Sequence, residues 1–297
     1  MESKFKYTDE RNVQIVIALL KAHGIHHVIA SPGTTNMTFV VSIENDPWFQ
    51  IWSSVDERSA AYLACGMAAE TGEPVVLSCT GATASRNYMP GLTEAYYRKL
   101  PVLAITSTRG NHKVGHLIDQ QIDRRNIPND IAVESVTIPM VKDKEDERYC
   151  EVEANKAMLA LSLNGRGPAH INMYTKYSRD FSVKEISPVH VIYRHTIFED
   201  KLPDIPRDGR IIVFIGAHAN FSERLTEAVD KFCATYDAVV LCDHTSGYRG
   251  KYEVHYQLVC GQQLWQSPLA QANLPPPQPH GEARAILLKS KQQIHGV

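Results

Sequence analysis

No two of the six cysteines form a CxxC pair, and their positions (Cys65, Cys79, Cys150, Cys233, Cys242, Cys260) show no regular spacing. Neither a disulfide framework nor a cysteine zinc site is indicated. Cys65, Cys79 and Cys242 lie inside apolar runs, as reduced core thiols do, and a cytoplasmic setting is expected. An excess of either charge is also missing. The 31 Lys and Arg stand against 33 Asp and Glu, a formal net charge of -2 that gives no field for nucleic acid or an anionic membrane, so neither is expected as a partner. No stretch approaches the ~18 uninterrupted apolar residues of a membrane span, and Met1-Glu2-Ser3-Lys4-Phe5-Lys6 leads into no signal-type run. What is present is ordinary for a globular chain of 297 residues: 43% apolar and 22% charged, long enough for two domains.

Apolar periodicity alternates between the helical and the extended type along the first 180 residues. Val13, Val16, Ile17 and Leu20 predict a helix over 9–23, stopped at Gly24. The strand His27-Val28-Ile29-Ala30 breaks at Ser31-Pro32-Gly33-Thr34-Thr35-Asn36, a turn whose small polar side chains can cap another helix. A strand before Ser54, a helix over 57–71 ended by Gly72, a strand over 74–78, a helix to Arg98 and a strand over 101–106 follow. The regularity lapses through a polar stretch from Arg109 to about Pro128, longer than most connections and therefore expected to be functional or mobile. A helix near 151–163 and a strand over 168–173 close this domain. Such alternation predicts an α/β fold, a parallel sheet flanked by helices. Residues 181–208, with three scattered prolines nearby, read as a linker, and 209–260 as a second, partial α/β domain with strands over 211–216 and 238–242 around a helix over 222–236. Residues 261–297, Gln-rich and then carrying Leu274-Pro275-Pro276-Pro277-Gln278-Pro279, read as an irregular or disordered tail.

Glu57 opens its helix in the run Ser54-Val55-Asp56-Glu57-Arg58-Ser59-Ala60-Ala61-Tyr62-Leu63-Ala64-Cys65-Gly66. An acid there faces the carboxyl edge of a parallel sheet, where such folds hold their ligands. A bland alternative is that it only favours the positive end of a helix macrodipole.

Four segments occur in an order that resembles the pyrimidine-binding domain of thiamine-diphosphate-dependent enzymes, the family of acetolactate synthase and the SEPHCHC synthase. They are Ser31-Pro32-Gly33, Asp56-Glu57-Arg58, Thr80-Gly81-Ala82-Thr83-Ala84-Ser85-Arg86-Asn87 leading to Pro90-Gly91, and Gly167-Pro168-Ala169-His170-Ile171-Asn172. The similarity covers residues 1 to about 180, and about 190–260 resemble the start of the family's central domain. It implies thiamine diphosphate as cofactor, with the Glu57 carboxyl hydrogen-bonded to a ring nitrogen of the aminopyrimidine. That bond favours the imino tautomer, whose nitrogen takes the thiazolium proton. Proton sharing of this kind is helped by a dry, partly apolar wall, for which Ala60, Ala61 and Leu63 are candidates.

The same resemblance nominates Pro32, Gly33, Thr80, Gly81, Ala82 and Asn87 for cofactor contact, and Gln120 as a second catalytic group. Thr34, Thr35 and Arg109 are nominated for substrate. Alternatives stay open for these: Gln120 as a solvated loop amide, Gly81 and Ala82 as a tight turn, and Arg109 as a surface cation. At Thr34 and Thr35 the SEPHCHC synthase usually carries serine and arginine, so its carboxylate clamp is missing here. The family also holds Mg2+ and the diphosphate through a Gly-Asp-Gly motif in a third domain, and that motif does not occur in the sequence. The resemblance therefore implies half a site, completed in a homodimer or by a complementary diphosphate-binding subunit, in a split enzyme or a truncated product. A small 2-oxo acid substrate with decarboxylation and carboligation is expected, and a non-catalytic protein-binding remnant is the alternative. No metal ligand is assigned within the chain. His112 and His116 are four apart, but Gly115 breaks the helix they would need.

Overall fold

The computed structural model describes residues 6–124, 126–162, 166–195, 204–205, 211–256 and 286–287. Two compact units divide the chain at Glu199 and Asp200.

In the first unit the chain runs α1 (Arg11–Ala22), β1 (His27–Ala30), α2 (Met37–Glu44), β2 (Gln50–Ser53), α3 (Glu57–Thr71), β3 (Val75–Thr80), α4 (Thr83–Asn87), α5 (Met89–Arg98), β4 (Val102–Thr108), β5 (Glu134–Ile138), α6 (Lys144–Ala160) and β6 (Ala169–Tyr174). All six strands are parallel, in the order β2-β1-β3-β4-β6-β5. The central strands are buried on both faces, which is why Val28-Ile29-Ala30 and Val75-Val76-Leu77 read as unbroken apolar runs. Val13, Val16, Ile17 and Leu20 of α1 pack with Ala154, Ala157 and Met158 of α6 on one face of the sheet. Ala60, Ala61, Ala64 and Ala68 of α3 pack with Leu92 and Ala95 of α5 on the other. Small residues are needed there because α5 lies close against α3: a Cβ on Gly91 would stand 2.4 Å from that of Ala61. Helix α3 starts on an Asp56 cap that accepts from the Ser59 N–H and stops where Gly72 turns left-handed at φ 72°.

Parts of this unit differ from the sequence reading. Strand β5 was not anticipated, since Glu134-Ser135-Val136-Thr137-Ile138 is a five-residue edge strand whose polar positions hide it. The segment read as a linker from 181 is fastened to the first unit along its described part. Val183 bridges Tyr7, Arg11 donates to the Ser187 and Pro188 carbonyls, and Asn155 holds His190 and Ile192.

Asp46 closes the N-terminal end of this unit by accepting from Tyr7 Oη at 2.7 Å, Lys21 Nζ at 2.6 Å and the Trp48 N–H at 3.0 Å. Burial pushes its carboxyl up, but the three donors outweigh that and leave it below the ordinary value. A carboxylate depressed in the folded state contributes stability above its unfolded pKa and loses it as pH falls through the folded one. Asp46→Asn is therefore expected to cost about 2 kcal/mol at neutral pH in urea unfolding, with the deficit shrinking in acid. An equal deficit at all pH values would contradict this.

The second unit holds β7 (Ile212–Ile215), α7 (Glu223–Tyr236), β8 (Val239–Cys242), β9 (Glu253–His255) and β10 (Ile286–Leu287), a parallel sheet in the order β10-β7-β8-β9. Its core is Val213, Ile215, Val229, Cys233, Val240, Cys242 and Tyr248. The expected irregular tail lies outside the described residues except for Ile286–Leu287, which pair with Val213–Phe214. Cys65, Cys79, Cys150, Cys233 and Cys242 are free and buried. No helix among the described residues is long and apolar enough to cross a membrane.

Candidate functional site

The chain steps from β1 to one side of the sheet for β2 and to the other for β3, so the strand order reverses between β1 and β3. Crevices of this kind, at the carboxyl ends of parallel strands, are where open α/β sheets bind ligands. The loops that flank it are Ser31-Pro32-Gly33-Thr34-Thr35-Asn36 after β1 and Gly81-Ala82 after β3.

These two loops are tied together. Ser31 donates its N–H to Ser78 O at 2.8 Å. Asn36 Nδ2 donates to Ser31 O and Ser78 Oγ, each at 3.2 Å, and its Oδ1 accepts the Gly33 N–H at 2.8 Å. A Cβ on Gly33 would stand 2.2 Å from the Thr80 methyl, so the approach requires glycine there. Ser107 Oγ, at the carboxyl end of β4, is buried without a hydrogen-bond partner, whereas the Ser31 hydroxyl beside β1 is hydrogen-bonded with the Tyr88 hydroxyl.

Glu57 comes to the same edge from the end of β2. Its side chain is half-buried, and Asn87 Nδ2 donates to its Oε2 at 3.0 Å. Among the described residues no protein group donates to Oε1. The wall expected beside it is not built as foreseen. Ala60 and Ala61 are buried in the core cluster, Ala61 against Gly91 of α5, and Leu63 is 55% exposed.

Of the other nominated residues, Pro32 and Thr34 are exposed at the crevice. Thr35 is buried, with its hydroxyl donating to Ser107 O at 2.7 Å and its own carbonyl accepting from Thr175, so it fastens the loop and presents no hydroxyl proton to a ligand. Arg109 is not free: its guanidinium pairs with Asp119 at 2.8 Å and donates to the Tyr177 hydroxyl, over whose ring it lies at 5.1 Å. Gln120 is exposed with φ +55°, and no structural contact joins it to Glu57 among the described residues. His112 and His116 belong to no cluster of metal-ligating groups among the described residues.

A polar network that the sequence reading missed runs beneath the loop from 109 to 128. Arg124 is only 7% exposed, and it donates to Thr106 Oγ1 and Asn172 Oδ1. With its oxygen accepting from Arg124, Thr106 can give its proton to His170 Nε2 at 2.7 Å, and His170 Nδ1 then donates to Ser135 Oγ at 2.9 Å. Burial, and then the neighbouring Arg124 charge, pushes the His170 imidazole down to about 3, so it stays neutral. Arg124 is lowered to about 10 by burial and remains charged at neutral pH. The network pins the long loop to the sheet through β4 and β6. Its signal was the pair His170 and Asn172, two residues apart on an otherwise apolar strand and thus on one face.

Beside this loop, a cleft of about 460 Å³ opens over the carboxyl ends of β4, β5 and β6. Lys113, Lys142 and Lys176 line it, and none of their ammonium groups is paired with a carboxylate among the described residues. Asp146 is the one acid in the lining. The cleft suits an anion.

Residues 11–127 match the family described as thiamine pyrophosphate enzyme, N-terminal TPP binding domain. This part of the chain resembles the N-terminal domain of the thiamine pyrophosphate enzymes. Over 190 residues, 64% of the chain, it is 35% identical to the 2-succinyl-5-enolpyruvyl-6-hydroxy-3-cyclohexene-1-carboxylate synthase of Bacteroides thetaiotaomicron, of which it covers 34%. The synthase of the same name from Flavobacterium johnsoniae is 29% identical over 78% of the chain and 43% of its own length, a match too long to be confined to the first unit. The chain spans about a third of the length of the curated relatives it matches first. In fold it is similar to a solved structure from Mycobacterium smegmatis provisionally described as a thiamin diphosphate-dependent enzyme, with a TM-score of 0.51 and 18% identity over 79% of this chain and 45% of that one.

Proposed function

We propose that the first unit is the pyrimidine-binding half of a thiamine-diphosphate site and that Glu57 is its activating acid. The observation that carries this is the Glu57 carboxylate, anchored through Oε2 by Asn87 and without a donor at Oε1 among the described residues, at the carboxyl edge of the sheet. The residues suit the group. A ring nitrogen can share a proton with Oε1, the close-packed loops at Gly33 and Thr80 offer backbone, and Ser107 Oγ is a buried polar atom in want of a partner at this edge. Bound there, thiamine diphosphate would supply the electron sink for decarboxylating a 2-oxo acid and joining the remaining unit to an acceptor.

In this reading Asn87 positions Glu57, and Glu57 Oε1 holds the proton at the pyrimidine nitrogen. Pro32, Gly33, Thr80, Gly81 and Ala82 bound the crevice. The substrate carboxylate is met by the cationic cleft of Lys113, Lys142 and Lys176, while Thr34 lies exposed at the crevice and Thr35 serves as a structural tie. The relatives' name, a carboxylate synthase, accords with an acidic substrate, and an acetolactate synthase-like reaction is the runner-up. The half that binds the diphosphate and Mg2+ would come from a second copy or a complementary subunit.

Val55, 94% exposed, with Tyr62 and Leu63 on the outer face of α3, gives apolar surface for such a partner beside Glu57. The same surface favours a second reading, a non-catalytic module that only docks a partner. Calorimetry separates the two. Thiamine diphosphate with Mg2+ is expected to bind once the complementary subunit is added. No heat with or without that subunit would sink the enzyme reading and leave the docking one.

A further inference from the structure

At the amino-terminal edge of the first sheet, opposite the crevice, three metal-ligating side chains converge. His27 is the first residue of β1, His26 precedes it, and Glu73 lies between α3 and β3. We propose that His26 Nε2, His27 Nε2 and the Glu73 carboxylate form a binding site for a borderline transition-metal dication of the Zn2+, Ni2+ or Cu2+ class.

The geometry is assembled by two helix stops. After α1 the chain turns left-handed at Gly24, with φ +70°, and the Ile25 N–H returns to Leu20 O. That turn sets His26 Nδ1 3.3 Å from the Gly24 carbonyl. A nitrogen so placed donates, and the lone pair is then left on Nε2, the atom aimed at Glu73. After α3 the left-handed Gly72 reverses the chain and delivers Glu73 next to both imidazoles. His27 Nε2 is 2.9 Å and His26 Nε2 3.8 Å from Glu73 Oε2, and all three ligand atoms lie within 4.8 Å of one another. Tetrahedral coordination with bonds of roughly 2.0–2.1 Å separates donors by about 3.3 Å, a spacing the two short distances bracket.

Two imidazoles and one carboxylate select nitrogen-seeking dications over Mg2+ or Ca2+, which prefer all-oxygen shells. Glu73 is 53% exposed at its side chain, so hydrated ions can reach the site and keep waters in the remaining positions. The Gly24 carbonyl supplies an outer-shell acceptor for His26. His27 has none, because its Nδ1 is buried without a partner. Metal binding at His27 Nε2 moves the proton there to Nδ1 and breaks no bond at that atom. A missing outer-shell partner weakens a site by about 10–100-fold, so moderate affinity is expected.

The fold provides its own reporter. Trp48 stands edge-on to His26 at 5.6 Å between centroids and Trp52 lies 5.5 Å from His27, so a paramagnetic ion held there quenches both indoles. Titrating the full chain with Ni2+ is expected to give saturable loss of tryptophan emission, with Mg2+ giving none. Affinity should fall at least tenfold in His26→Ala and in Glu73→Gln, the latter an exposed, isosteric change that spares the fold. Absence of saturable quenching in the unaltered chain, or an unchanged Ni2+ affinity in both variants, would overturn the site. Neither result bears on the crevice at the other edge, which thiamine diphosphate probes separately.

Discussion

Glu57→Gln, in the enzyme assembled with its diphosphate-binding half, is expected to lower thiamine-diphosphate-dependent turnover by about 10²–10⁴-fold, the range that a positioned acid or base contributes. The change keeps shape and removes only the ability to hold an acid proton. A glutamine oxygen can still accept from Asn87 Nδ2, as Oε2 does at 3.0 Å, so the side chain keeps its anchor. The other arm becomes an NH2 group, which donates where Oε1 has to share a proton with a ring nitrogen. Stability should change little. Helix α3 loses one negative charge in its first turn, about 0.3–1 kcal/mol, while the Asp56 cap on Ser59 stays in place. Measuring turnover beside thermal unfolding decides the matter: unchanged turnover removes the role, and a collapsed melting transition would show that Glu57 was structural after all.

The first unit was legible where a local signal coincided with a long-range one. Asp56, the small-residue run and Gly72 mark α3 by capping and stop chemistry, and α3 needs those small residues because Gly91 brings α5 against it. The strands β1, β3 and β4 are buried on both faces and so appear as plain apolar runs. Position on the carboxyl edge followed for Pro32, Gly33, Glu57, Thr80, Gly81 and Ala82, because each falls at the end of a strand or the start of the element after it. Side-chain commitments were not legible. Whether Arg109 is free or spent on Asp119 and Tyr177 depends on a loop that folds back over ten residues and on a tyrosine 68 residues away. Likewise Thr35 is consumed by Ser107, in a strand 72 residues on. The ties of residues 183–192 to the first unit were hidden for the same reason, since nothing local to Val183 announces its pairing with Tyr7. His26, His27 and Glu73 carry no motif spacing at all, and only the parallel pairing of β1 with β3 makes them neighbours.

The contact between α3 and α5 couples stability to the candidate site. In Gly91→Ala the new Cβ would lie 2.4 Å from Ala61 Cβ and 2.9 Å from the Ala61 carbonyl carbon, and the second of these is backbone that no rotamer change can move. Overpacking of this kind costs about 3 kcal/mol at its upper range, and the better helix propensity of alanine returns about 1, so a net loss of roughly 2 kcal/mol is expected in urea unfolding. Ala61→Gly removes the nearer clashing atom. The double variant should therefore be less destabilised than the sum of the singles, by about 1 kcal/mol, whereas simple additivity would show that the helices do not meet there. The contact also bears on the site. Helix α3 begins with Glu57, and Asn87 ends α4 two residues before α5 starts, so a displaced α5 draws the Asn87 donor away from the carboxylate it holds. Gly91→Ala should thus weaken thiamine diphosphate binding in the assembled enzyme even at temperatures where the variant is fully folded. The double variant should recover part of that binding along with part of the stability.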